Sequence, residues 1–118
     1  MTKYRKFSWG TKTFVMGIIN ATPDSFSGDG TALDLSASLV KAKEFIEYGV
    51  DVLDVGGESS RPSSIYNEVN QIEVEQELER VIPVIEAIRS ISDIPISIDT
   101  WKSEVAKEAI NYGASIVN

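Results

Sequence analysis

Asn20, Asp99 and Asn118 each follow directly on a short apolar run, and the apolar run between the first two ends in Gly56-Gly57-Glu58-Ser59-Ser60-Arg61. A carboxylate accepts hydrogen bonds, a carboxamide both donates and accepts, and a guanidinium offers a planar fork of donors suited to an anionic oxygen. Gathered in one place, these groups can hold a small polar or anionic ligand. Oxygen ligands leave magnesium open as a partner, and that ion usually arrives with substrate phosphates. Other chemistries are closed to these residues. The chain has no cysteine and no histidine, which removes thiolate chemistry, the usual zinc ligands and serine–histidine–aspartate catalysis. There is no Walker A sequence, and the GDG at 28–30 lacks the third glycine and the tight strand-to-helix setting of a dinucleotide fingerprint.

Taken singly, each residue also has a plainer role. Asn20 can open an Asx turn before Pro23, and Asp99 with Thr100 can cap a helix. Arg61 can be a solvated surface charge, Gly56-Gly57 a tight strand exit, and Ser59, Ser60 or Asn118 alone carries no signal. Asp54 is harder to place, because a carboxylate between Leu53 and Val55 in an apolar run needs a buried partner. Their joint occurrence at successive strand ends is what raises the functional reading.

The elements that must position them alternate. TFVMGII (13–19) is a continuous apolar run, as expected of a strand buried on both faces. Residues 34–48 carry Leu35, Leu39, Ala42 and Ile46 at helical spacing, with Gly49 at the stop. VDVLDV (50–55) reads as a second strand. A longer helix over roughly 68–91 presents Leu78, Val81, Ile85 and Ile88, with a kink or break expected near Pro83. PISID (95–99) is a third strand. Thr100 is expected to cap a third helix whose stripe is Val105, Ala106, Ala109 and Ile110 and which Gly113 ends, and Ser115-Ile116-Val117 is a fourth strand. The order βαβαβαβ implies an α/β fold with a parallel sheet and right-handed crossovers, either open and doubly wound or a (β/α)₈ barrel. In both, chemistry gathers at the C-terminal ends of the strands.

Bulk properties exclude other classes. With 118 residues the chain has the length of one modest domain, and 42% hydrophobic with 25% charged residues is ordinary globular usage. A net charge of -7 disfavours nucleic acid and anionic membrane as partners. No apolar stretch reaches membrane-spanning length and MTKYRKFSWG lacks a signal-peptide core. A soluble cytoplasmic protein is the expectation, and a small anionic ligand held by a few local cations is not excluded.

Four stretches carry a family resemblance. NATPDSFSGDG (20–30), DVLDVGGESSRP (51–62), PISIDT (95–100) and GASIVN (113–118) are similar to the dihydropteroate synthase family and cover the chain almost end to end. The pairing of N-x-T-P-D-S-F with G-G-E-S-[ST]-R-P is specific; SIDT is shared with other pterin-binding proteins. The resemblance implies a (β/α)₈ TIM barrel, of which residues 1–118 would be the N-terminal part of a single domain, strands 1–4, homodimeric as a full-length enzyme and inactive as this piece alone. It implies condensation of 6-hydroxymethyl-7,8-dihydropterin diphosphate with 4-aminobenzoate, giving dihydropteroate and pyrophosphate.

By that resemblance Asn20, Arg61 and Asp99 are the catalytic residues. Asn20 would bind Mg²⁺ bridging the diphosphate, Arg61 an anionic oxygen, and Ser60, Asp99 and Asn118 the pterin substrate. Phe26, Ser60 and Pro62 would wall the 4-aminobenzoate pocket in which sulfonamides compete, and the loop after Asn20 would be a mobile lid. Two positions depart from the family pattern: the loop reads FSGDG where FSDGG is commoner, and Ser60 replaces Thr. The family's lysine, later aspartate and arginine–histidine pair come from its second half. Two other readings are a methyltetrahydrofolate methyltransferase, sharing the pterin contacts but not the PDSF and ESSRP loops, and a non-catalytic binding fragment.

Overall fold

The computed structural model describes residues 10, 12–21, 35–57 and 74–118. Among the described residues, four strands alternate with three helices: β1 (Met16–Asn20), α1 (Leu35–Tyr48), β2 (Val52–Gly56), α2 (Val74–Ile91), β3 (Ile96–Asp99), α3 (Ser103–Tyr112) and β4 (Ile116–Val117). The strands pair in parallel in the order β1-β2-β3-β4, so the α/β reading holds and each chain crossover is a helix.

Side-chain alternation divides the sheet into two faces. Ile19, Leu53, Val55, Ile96 and Ile98 are buried with Val81, Val84, Ile85 and Ile88 of α2 and with Val105 and Ala109 of α3. At Gly17 on the same face, a Cβ would meet the Phe45 ring at 2.7 Å, so glycine lets α1 lie against β1. The opposite face carries Met16, Ile18 and Asn20 of β1, Val52, Asp54 and Gly56 of β2, Ser97 and Asp99 of β3, and Ile116 on β4 with Asn118 just beyond it.

Several sequence expectations change. β1 is not buried on both faces: Ile18 is 55% exposed and Met16 43%. Among the described residues β1 has a neighbour on one side only, so its helix-averse face stays open; β2, flanked on both sides, is buried throughout. The long helix runs without a break through Pro83. Val81, Val84 and Ile85 around the proline are buried in the core, and that packing outweighs one lost intrahelical hydrogen bond. Residues 68–73 of the expected helix lie outside the described residues. Thr100 does not cap α3: Lys102 holds the N-cap position without a side-chain cap, and the Thr100 hydroxyl instead accepts the Lys102 N–H at 3.2 Å in the turn before it. Gly49 and Gly113 do stop α1 and α3, at φ of 86° and 131°.

At the opposite end of the sheet, Arg89 knits two connections together. Its guanidinium donates to the carbonyls of Ile94 (2.8 Å) and Ser92 (3.2 Å) after α2 and of Gly113 (2.7 Å) after α3. That end is built for stability, leaving the C-terminal edge for chemistry.

Candidate site at the C-terminal edge of the sheet

β1, β2 and β3 end in register: Asn20 and Asp99 are both Cα partners of Gly56, one on either side. Asn118, next after β4, donates its backbone N–H to Ile98 at 2.9 Å, which sets it beside Asp99. The chain thus brings Asn20, Asp99 and Asn118 to one edge on one face. Gly56 leaves the room between them. A Cβ there would stand 3.3 Å from Asp99 Cβ and 3.4 Å from its Oδ2, crowding the carboxylate. The other candidates, Phe26, Ser60, Arg61 and Pro62, and the lid expected after Asn20, lie outside the described residues.

Partial burial raises the pKa of Asp99 above the ordinary carboxylate value, and the negative charges of Asp54 and Glu77 add to the effect. A partly desolvated carboxylate at an open edge is disposed to accept N–H donors from a ligand.

Asp54 finds the partner its position demands. It is 3% exposed, one layer below the edge, and Asn118 Nδ2 donates to its Oδ1 at 3.3 Å. Ser97, the Cα partner of Asp54 on β3, is small enough for the two side chains to meet across that strand. Its own buried hydroxyl has no hydrogen-bond partner among the described residues.

Beneath the turn after Asp99 lies a feature that the sequence reading missed. Lys102 Nζ pairs with Glu77 Oε1 at 2.7 Å, with side chains only 7% and 1% exposed. The pair joins the first turn of α2 to the turn leading into α3. Arg80, one turn on from Glu77, donates to the Gly57 carbonyl at 2.9 Å and so anchors the exit of β2. The signal for Glu77 was present: it stands at i−4 from Val81, on the apolar stripe of α2. Lys102 carried no such signal, because its burial depends on α2 packing across the turn.

Comparison with known proteins sharpens the assignment. Residues 16–118 match the family described as pterin binding enzyme. The chain is 47% identical over 117 residues to the dihydropteroate synthase of Bacillus subtilis, covering 99% of this chain and 39% of that protein. It is 46% identical over 114 residues to that of Clostridium beijerinckii, covering 97% and 40%. Among solved structures, a dihydropteroate synthase from Clostridium difficile in the presence of pteroic acid aligns with a TM-score of 0.82 at 44% identity, covering 96% of this chain and 41% of that one. One from Xanthomonas albilineans with 4-aminobenzoic acid aligns at 0.77 and 44%, covering 92% and 38%. The chain therefore spans about two fifths of the length of the relatives it matches, as expected of four strand–helix units from an eight-unit barrel. Sheet order, strand-end residues and the match over 16–118 agree: the chain belongs to the pterin binding enzyme family.

Proposed function

We propose that this edge is part of a dihydropteroate synthase site, where 6-hydroxymethyl-7,8-dihydropterin diphosphate condenses with 4-aminobenzoate to give 7,8-dihydropteroate and pyrophosphate. The observation that supports this most directly is Asp99 beside Asn118 on neighbouring strand ends, with the Asn118 amide held from below by Asp54. A pterin edge carries ring N–H, exocyclic amine and carbonyl groups. A partly desolvated carboxylate can accept two of those N–H bonds, and a carboxamide matches an adjacent donor or acceptor.

In the reaction the C–O bond at the pterin methylene breaks and pyrophosphate leaves with the electron pair. The arylamine nitrogen then forms the C–N bond and gives up a proton. Stabilising departing negative charge is the main demand, which preorganised donors meet without general acid–base residues. Arg61 and Ser60 are assigned to the substrate's anionic and polar groups, and Phe26, Ser60 and Pro62 to the 4-aminobenzoate pocket, the place where sulfonamides would compete. Asn20 offers one hard oxygen ligand at the same edge. One amide oxygen fits a magnesium ion that arrives with a substrate diphosphate. When bound, the ion supplies positive charge to the leaving diphosphate.

No helix among the described residues is long and apolar enough to cross a membrane; the site is assigned to a cytoplasmic enzyme of folate biosynthesis. The 118-residue chain by itself is expected not to turn over, because four strands supply only one wall of a closed barrel. The test is calorimetry with dihydropterin diphosphate and magnesium, set against methyltetrahydrofolate. Diphosphate binding that Asp99→Asn abolishes, and that Asn20→Ala weakens only when magnesium is present, is the expected result. Preference for methyltetrahydrofolate, or Asp99→Asn binding like the parent chain, overturns the reading.

A further inference from the structure

We infer that Asp54 is a positioning residue that fixes which end of the Asn118 carboxamide faces the ligand. A free asparagine amide can turn either its oxygen or its nitrogen to a neighbour, and the wrong end sets donor against donor. An ionised carboxylate removes that freedom, since it can only accept. With Asp54 Oδ1 3.3 Å away, the nitrogen is the end turned down into the sheet, and Oδ1 of Asn118 is turned from it, toward the edge that Asp99 also faces. Asn118 is thereby made an acceptor for a ring N–H.

Three features of the fold make this arrangement specific. Asp54 is 3% exposed, so its own geometry is set by strand β2 and not by solvent. Ser97, between the two in the sheet, is the one small side chain of its layer, with Ile18 and Ile116 as the outer members. Asn118 is tied by its backbone N–H to Ile98, so its side chain starts from a fixed point. A carboxylate buried in a strand costs stability unless it is hydrogen-bonded, and the Asn118 amide supplies one such bond. At metal sites, partners that orient a ligating side chain commonly change affinity by about tenfold or more when removed, and positioning of the same kind sets the scale here.

The inference rests on the pterin reading, and its test separates the two. In the purified chain, Asp54→Leu should leave the Asn118 amide unpinned and weaken dihydropterin diphosphate binding by about tenfold. Asn118→Asp should do worse, because two carboxylates then meet. Asp54→Asn keeps an oxygen acceptor of the same shape below the Asn118 amide and should bind about threefold or more tighter than Asp54→Leu. A residue acting only as structural filler would give the two variants the same affinity, so the comparison is decisive for variants that stay folded by circular dichroism. An Asp54→Asn that binds no better than Asp54→Leu, or a folded Asp54→Leu that binds like the parent, overturns the assignment. Should the parent bind no pterin at all, the pterin reading fails. The assignment is then judged on the side-chain amide resonances of Asn118 in the ligand-free protein, which must shift on Asp54→Leu; unchanged resonances overturn it.

Discussion

Removing one partner of the Lys102–Glu77 pair should be among the most costly single changes in the chain. The two charges lie 2.7 Å apart with side chains 7% and 1% exposed. At an effective dielectric constant of about 20, that separation corresponds to a gross attraction of about 6 kcal/mol. Desolvation of several kcal/mol per ion offsets much of it, so the intact pair contributes little net stability. The asymmetry appears when one partner goes. Lys102→Met leaves the Glu77 carboxylate buried with its main counter-charge removed, at a cost of about 3–5 kcal/mol. Glu77→Leu should sit at the lower end of that range. The lysine stem can carry its ammonium outward along Trp101, which is 70% exposed and already lies 4.5 Å from the Nζ. The double variant Glu77→Leu with Lys102→Met should return to within about 1 kcal/mol of the parent, because no buried charge is left unpaired. Urea unfolding of all four chains at one protein concentration measures the cycle. With a slope of about 2 kcal/mol/M, Lys102→Met should lower the midpoint by roughly 2 M. If Lys102→Met moves it by less than a tenth of that, or if the two single losses add in the double variant, the pair is not the buried, coupled unit described here.

Asp99→Asn should raise the unfolding free energy at pH 7 slightly, by less than about 1 kcal/mol given its exposure to solvent. The folded pKa of Asp99 lies above its unfolded value, so ionising it works against folding. The advantage of the variant should vanish at low pH, where both chains are neutral at this position, and be complete above the raised pKa; a destabilised variant at pH 7 refutes it. Gly113→Ala should cost about 3 kcal/mol in the same denaturation assay, because the residue sits at φ 131° and the new Cβ would come 2.8 Å from Arg89 Nε, disturbing the fork that holds three carbonyls. A loss below 1 kcal/mol would mean that Arg89 yields freely. Pro83→Ala should stabilise the fold by about 1–2 kcal/mol, since an N–H is restored inside a continuous helix while a more flexible unfolded chain takes back part of the gain; a less stable variant would show that the proline ring is needed for packing.

Much of the architecture was legible in the residues. The alternation of apolar runs with 3.6-residue stripes, stopped by Gly49 and Gly113, is local information, and it led to four strands, three helices and a parallel sheet. The same holds for Asn20, Asp99 and Asn118. A residue that follows an apolar run must stand at a strand end, and parallel strands put all such ends on one edge. The open inner face of β1 was not legible, because TFVMGII is equally apolar whether or not a neighbour covers it. Nor was the uninterrupted course of α2 through Pro83, which is decided by the sheet beneath it and not by the proline.

Asp54 shows the boundary between the two kinds of knowledge. Its position between Leu53 and Val55 said that it needed a partner; only the packing named Asn118, 64 residues away in the chain. The burial of Glu77 with Lys102 is of the same kind, across 25 residues. Sequence determines which groups each element presents and in which rhythm, since strand and helix periods are properties of the local backbone. Which buried charge meets which amide is settled by strand register and helix docking, through contacts between residues far apart in the chain. Those contacts exist only once the layers have closed on one another.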